Sequence, residues 1–136
     1  MTIRTAVMAD LPVLAGHDHH VSETELASLI RLGRVTVAEA DYNFVGWLRW
    51  NLFWDNIPFL NMLFLLPAHR GKGYGRELMT HWESHMNNLG FDRVMTSTAS
   101  DEYAQHFYRH LGYRDAGCFT LPGESCELLL AKELKS

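Results

Sequence analysis

Arg70-Gly71-Lys72-Gly73-Tyr74-Gly75 takes its meaning from the two segments that flank it. Before it runs Phe59-Leu60-Asn61-Met62-Leu63-Phe64-Leu65-Leu66, an apolar strand-like stretch ended by Pro67. After it, Leu78, Met79, Trp82, Met86 and Leu89 recur at helical spacing. Three glycines in five residues let the backbone turn sharply and approach a ligand closely, and the following helix leaves its first N–H groups unpaired and aimed outward. Strand, glycine loop and helix in that order make a cradle for phosphate.

Several nucleotide-binding loops share this layout, and the residues discriminate among them. A Walker loop requires Gly-x-x-x-x-Gly-Lys-Ser/Thr, whereas Lys72 lies between glycines and no hydroxyl follows it. A Rossmann fingerprint requires Gly-x-Gly-x-x-Gly; the spacing here is Gly71-x-Gly73-x-Gly75, and Asp92, the acid about twenty residues on, precedes the next strand instead of ending it. The pattern left is Arg-x-x-Gly-x-Gly. With Pro67 just upstream, it resembles the acetyl-coenzyme A loop of the GNAT superfamily of N-acetyltransferases, in which backbone amides hold the pyrophosphate.

The resemblance extends along the chain in the family's order. Ile3-Arg4-Thr5-Ala6 and Asp10-Leu11-Pro12 are similar to the first strand and first helix. Ala104-x-x-Phe107-Tyr108-x-x-Leu111-Gly112-Tyr113 looks like the second coenzyme-facing motif, a short helix carrying a Tyr and ending at Gly. Leu128 to Leu134 resembles the last strand.

The resemblance implies acetyl-coenzyme A as co-substrate and a set of roles. Arg70, Gly71, Lys72, Gly73, Tyr74 and Gly75 would hold the pyrophosphate, and Leu63, Phe64 and Leu65 would line the pantetheine arm where two central strands splay apart. The side chains of those three residues can pack into the core meanwhile, because the family uses backbone groups there. The N–H of Leu63 or a neighbour would steady the oxyanion. Tyr108, a phenol with an ordinary pKa near 10, would hydrogen-bond the sulfur and protonate the leaving thiolate. Two positions depart from the family. Asp101 stands where Asn is usual, at a cofactor contact, and equally suits a helix cap. Asn61 stands where many relatives carry Glu; it cannot take a proton but can hold a water that does, or Glu25 or Asp55 could supply the base.

Outside those motifs the chain alternates elements without linker, repeat or low-complexity segment. Ser22-Glu23-Thr24-Glu25 reads as a capping box for a helix with Leu26, Leu29 and Ile30 inward, ended by Gly33. Arg34 to Ala40 alternates through Val35 and Val37 as a half-buried strand, turns near Asp41-Tyr42-Asn43 and returns through Phe44 to Trp54. Asp55-Asn56-Ile57-Pro58 leads into the central strand; Gly90 stops the long helix; Arg93 to Thr98 is the next strand; and Ser100 or Asp101 caps the helix of Tyr108. The expected fold is mixed α/β: a mostly antiparallel sheet with one parallel pair, flanked by about four helices, in a single acyl-CoA N-acyltransferase domain over 1–136.

Composition supports an enzyme domain. The chain has 136 residues, 47% of them hydrophobic, and carries a net charge of −4, which disfavours nucleic acid and suits a cationic substrate. It opens on no basic segment with an apolar core and has no run approaching the roughly 18 residues of a membrane span, so a cytoplasmic location is expected. Cys118 and Cys126 are symmetric about Pro122, and a simple hairpin centred there would set them opposite each other, as buried reduced thiols. Eight histidines, among them His17, His19, His20 and the helical pairs His81/His85 and His106/His110, lack a metal-site motif, so no metal is expected; His17 to His20 remain candidates for substrate contact. Trp47, Trp50, Phe53 and Trp54 put aromatics on both faces of one strand, suiting a core, a homodimer interface or an aromatic wall for an amine. These expectations converge on transfer of an acetyl group to a primary amine, a small amine being favoured over a protein amine. The alternative is a coenzyme A-binding sensor that has lost catalysis, as Asn61 and Asp101 suggest.

Overall fold

A computed structural model describes residues 1–135. Its strands are β1 (Thr2–Thr5), β2 (Val35–Ala40), β3 (Asn43–Phe53), β4 (Ile57–Leu65), β5 (Arg93–Ala99), β6 (Arg114–Phe119) and β7 (Glu127–Glu133), hydrogen-bonded in the order β1-β2-β3-β4-β5-β7-β6. The helices are α1 (Leu11–His17), α2 (Glu23–Arg31), α3 (Tyr74–Asn88) and α4 (Ala104–His110). Of the registers, β4 with β5 is parallel and covers Phe59↔Met95 and Leu60↔Thr96; β1–β2, β2–β3, β5–β7 and β6–β7 are antiparallel. Mixed α/β with a mostly antiparallel sheet is thus the observed class. Two compact units divide it, one of residues 1–51 and 62–81, the other of residues 52–61 and the chain from Trp82 on.

In the first unit, α1 and α2 cover one face of β2 and β3. Leu14, Leu26, Leu29, Ile30, Val35, Val37 and Trp47 form one buried cluster, with Phe44, Met62 and Phe64 packed against it. Ser22 caps α2 by accepting a hydrogen bond from the Glu25 N–H at 3.1 Å, and Gly33 follows the last turn. Asp41 and Tyr42 both have positive φ, as a two-residue hairpin turn between Ala40 and Asn43 requires. The half-buried alternation expected for β2 is corrected: Val35, Thr36, Val37 and Ala38 are all buried. A strand flanked by two others and covered on both faces has no solvent side, so burial runs unbroken through Thr36.

In the second unit, β5, β7 and β6 form the ladder. A two-residue turn at Trp54 and Asp55, both at positive φ and closed by the Asn56 N–H to the Phe53 carbonyl, leads into β4. Trp54 therefore stands on a turn, 76% exposed and tilted against Phe53 with ring centroids 4.7 Å apart, and Ile57 and Pro58 already belong to the strand. Trp82 and Met86 are fully buried on α3, as expected, whereas Leu89 lies past the helix end and is exposed. Two further expectations fail here. The N-cap of α4 is Tyr103, without a side-chain cap, because a turn over 100–103 separates Ser100 and Asp101 from the helix. Cys118 pairs with Leu128, not Cys126, because the hairpin turn centres one residue later than Pro122, at Gly123.

Candidate active site

The cradle forms as a continuous structure at the end of β4. The Leu66 N–H donates to the Val45 carbonyl at 2.8 Å, Pro67–His69 makes one 3-10 turn, and Arg70 folds back so that its Nε donates to the Leu65 carbonyl at 2.9 Å. The guanidinium of Arg70 also lies 4.9 Å from the Phe64 ring centroid. Arg70 thus ties the loop to the strand it leaves. Gly71 and Gly73 have φ of 77° and 81°, angles at which any L side chain is strained. A Cβ at either would meet no atom within 4 Å, which leaves open space in front of the loop. The α3 helix begins at Tyr74, and its Glu77 N–H closes onto the Gly73 carbonyl at 3.1 Å. Amides of Tyr74, Gly75 and Arg76 precede that bond and have no carbonyl behind them, which fits a diphosphate. Gly75 lies within α3 and, unlike Gly71 and Gly73, has no positive φ.

Leu63, Phe64 and Leu65 are half-buried at the end of β4. Phe64 joins a row of rings: His17 lies 5.2 Å from Phe44, Phe44 5.9 Å from Trp47, and Trp47 5.1 Å from Phe64. Beneath the row sits a buried ion pair. Asp18, 3% exposed, accepts from Arg49 Nε at 2.7 Å, from the Trp47 indole N–H at 3.0 Å and from the His20 N–H at 3.2 Å. Burial works to raise the Asp18 carboxyl, but the hydrogen bonds from Arg49 and Trp47 outweigh it and hold it below the usual carboxylate range. The network fixes the segment that leaves α1 at His17 and carries His19 and His20, and of the aromatic-wall residues Trp47 serves the core. Neither Asp18 nor Gly46 was among the sequence candidates. Signals existed: a single acid among three histidines, a charged Arg49 inside an apolar strand, and a glycine in mid-strand.

In the second unit, Tyr108 on α4 is 7% exposed and packs edge-on against Phe107 and Tyr113. Burial pushes its phenol up to about 12; a hydrogen bond with the Thr96 side chain works against this, and the Glu102 charge adds to it. Thr96 in turn donates to the Leu60 carbonyl at 3.0 Å, linking the phenol's partner to the last parallel pair. Asn61, next on β4, is exposed, and Asp101 is exposed and accepts from Ser125 Oγ at 3.2 Å. Of the proposed bases, Glu25 lies in the first turn of α2 and Asp55 on the Trp54 turn. His106 packs at a tilt against Tyr103, and His110 Nδ1 lies 2.7 Å from the His106 carbonyl. Among the described residues, no group of three or more His, Cys, Asp or Glu is placed to hold a metal ion, and no helix is long and apolar enough to cross a membrane.

Residues 5–113 match the Acetyltransferase (GNAT) family. The chain belongs to this family of acyltransferases, whose acyl donor is acetyl-coenzyme A. Solved structures agree on the fold. A GNAT-family acetyltransferase from Bacillus cereus superposes with a TM-score of 0.82 at 20% identity, covering 99% of this chain and 98% of that one. The ribosomal-protein-S18-alanine N-acetyltransferase of Escherichia coli gives 0.83 at 19% identity over 99% and 94%. A spermidine/spermine N-acetyltransferase of Vibrio cholerae gives 0.79 at 18% identity over 98% and 92%. No curated protein sequence matches the chain.

Proposed function

We propose that this chain works as a single acyl-CoA N-acyltransferase domain over 1–136, moving the acetyl group of acetyl-coenzyme A directly to a primary amine, a small amine in preference to a protein amine. The observation that carries the reading is the glycine cradle, with Gly71 and Gly73 at positive φ in front of the open first turn of α3. In this reading Arg70, Gly71, Lys72, Gly73, Tyr74 and Gly75 hold the pyrophosphate, and backbone groups of Leu63, Phe64 and Leu65 align the pantetheine arm. The Leu63 N–H receives the charge that develops on the carbonyl oxygen as the amine nitrogen attacks.

Asn61, exposed to solvent, holds a water that relays the proton from the attacking amine to bulk water, and Asp101 adds a cofactor contact. Tyr108 takes the role at the leaving sulfur. A phenol raised to about 12 is a poor acid toward a thiolate whose ordinary pKa is near 8.5, a transfer uphill by about 5 kcal/mol. Tyr108 therefore serves the leaving thiolate chiefly as a hydrogen-bond donor, refining the acid role expected of it. The acidic balance of the chain supports a small cationic acceptor. Ribosomal-protein and spermidine acetyltransferases share the fold, so fold alone does not choose between acceptor classes. The reading also carries a cytoplasmic location and leaves a homodimer as a possible assembly.

The test is release of free thiol from acetyl-coenzyme A over a panel of polyamines, amino sugars, amino acids and peptide N-termini. Turnover on a small amine supports the reading. Binding of acetyl-coenzyme A with no turnover on any acceptor supports the sensor alternative, and a preference for NAD over coenzyme A removes both.

A further inference from the structure

We propose that Cys118 and Cys126 are a redox site, closing reversibly into an intrachain disulfide that clamps the connection between β6 and β7. The first ladder pair of this hairpin is Phe119↔Glu127, and the next is Cys118↔Leu128. Cys126 lies two residues from Leu128 and so shares a face with Cys118 on the diagonal, where Cα atoms stand about 7–8 Å apart, so the bridge closes once the loop end draws inward. The two thiols lie near enough for each to influence the other. Both are free, Cys118 exposed and Cys126 half-buried. The family match stops at Tyr113, so neither thiol belongs to the stretch that defines the acetyltransferase. No role proposed above uses them.

The surroundings favour closure without strain elsewhere. Every residue of β6 is exposed, and Cys126 stands before the ladder begins, so the 119–126 connection can adjust as the sulfurs approach. On the other side the Ser100 N–H donates to the Cys126 carbonyl at 2.7 Å, which keeps that end in place. Contact with Cys118, together with burial, holds the Cys126 thiol above its ordinary value, so the exposed Cys118 is the first to react. With a low-molecular-weight disulfide as oxidant, the Cys118 thiolate attacks one sulfur and expels one thiolate. The Cys126 thiolate then attacks Cys118 Sγ, forming the protein disulfide and expelling the second. Two protein thiols are oxidised and one small disulfide is reduced to two thiols, whose protons come from Cys118 and Cys126. Only seven residues separate the pair, so the second step outruns any intermolecular one.

The experiment equilibrates the full chain with mixtures of reduced and oxidised glutathione, then counts titratable thiols and maps peptides by mass. Both thiols should disappear together, with loss of two hydrogens and a cross-linked 118–126 peptide, independent of protein concentration and reversed by dithiothreitol. Chymotryptic cleavage after Phe119 or Leu121 should slow several-fold in the oxidised chain. The variant C126S should instead hold a glutathione adduct on Cys118. A stable adduct on wild-type Cys118, disulfide-linked dimers, or two thiols that survive an excess of oxidised glutathione would each overturn the proposal. The wild-type peptide map decides the matter even if C126S does not fold. Acetyl transfer enters none of these readouts, so they stand whatever the acceptor assay returns.

Discussion

A Cβ placed on Gly46 would lie 2.5 Å from the carbonyl oxygen of Phe64 and 2.7 Å from the Leu65 side chain. Real Cβ atoms do not approach backbone oxygen so closely, so β4 reaches its position at Phe64 and Leu65 only because β3 carries a glycine there. Gly46→Ala must push those residues away. A loss of about 1–3 kcal/mol in urea unfolding is expected, with at least several-fold weaker binding of coenzyme A by calorimetry. Gly16→Ala is the control, since a Cβ there meets nothing within 4 Å on a short helix. If Gly46→Ala binds coenzyme A as the parent does, Phe64 and Leu65 do not align the cofactor.

Local chemistry made the cradle legible in the sequence, and long-range contact hid its support. The glycines at 71 and 73, the run from 59 to 66 and the stripe of Leu78, Met79, Trp82 and Met86 each announce themselves within a few residues. Gly46 and Phe64 stand eighteen positions apart, and nothing nearby says which strand will press on which. Asp18 and Arg49 are thirty-one apart, and nothing near either one in the sequence says that they are buried together. The cysteines show a third limit: symmetry about Pro122 was real, but a turn centre displaced by one residue shifts the register of everything beyond it.

Asp18→Asn removes the charge that Arg49 faces and leaves a guanidinium buried at 6% exposure. Breaking such a pair from one side costs about 3–5 kcal/mol. The pH dependence has a definite sign. Because the folded carboxyl titrates below its ordinary value, its stabilising effect is present above that value, near 3.9, and is lost as pH falls through the lower folded one. Wild type and Asp18→Asn should therefore converge in stability under acid. A constant gap down to acid unfolding would show that the pair does not carry the difference.

Arg70→Lys tests whether the loop is held by charge or by shape. The native guanidinium donates through Nε to the Leu65 carbonyl while its plane covers Phe64, and an ammonium cannot do both. Coenzyme A affinity should fall close to the level of Arg70→Ala, on the order of tenfold, the size expected when one charge-assisted hydrogen bond is removed. Full rescue by Lys would mean that Arg70 acts on the ligand as a simple positive charge.

Tyr108 offers a kinetic and a thermodynamic reading of the same burial. With the phenol raised to about 12 in the fold and near 10 when unfolded, both states are protonated at neutral pH, so no stability is gained or lost there. Between pH 10 and about 12 the unfolded chain releases the proton first, and folding stability falls by up to about 3 kcal/mol through this group. Tyr113, raised by burial and by the Glu83 carboxylate that accepts its hydroxyl at 2.8 Å, acts in the same direction from the same pH upward. Urea titrations at pH 8 and 11 should then show a smaller alkaline loss in Tyr108→Phe than in wild type. In turnover, a hydrogen bond to the departing thiolate predicts a fall in kcat of about ten- to a hundredfold, matching one hydrogen bond to a charged group of about 1.5–3 kcal/mol. The pH profile should keep its shape up to pH 10, since the lost group does not titrate below that. A fall of a thousandfold would restore full proton donation by Tyr108, and unchanged kcat would remove it from the reaction altogether.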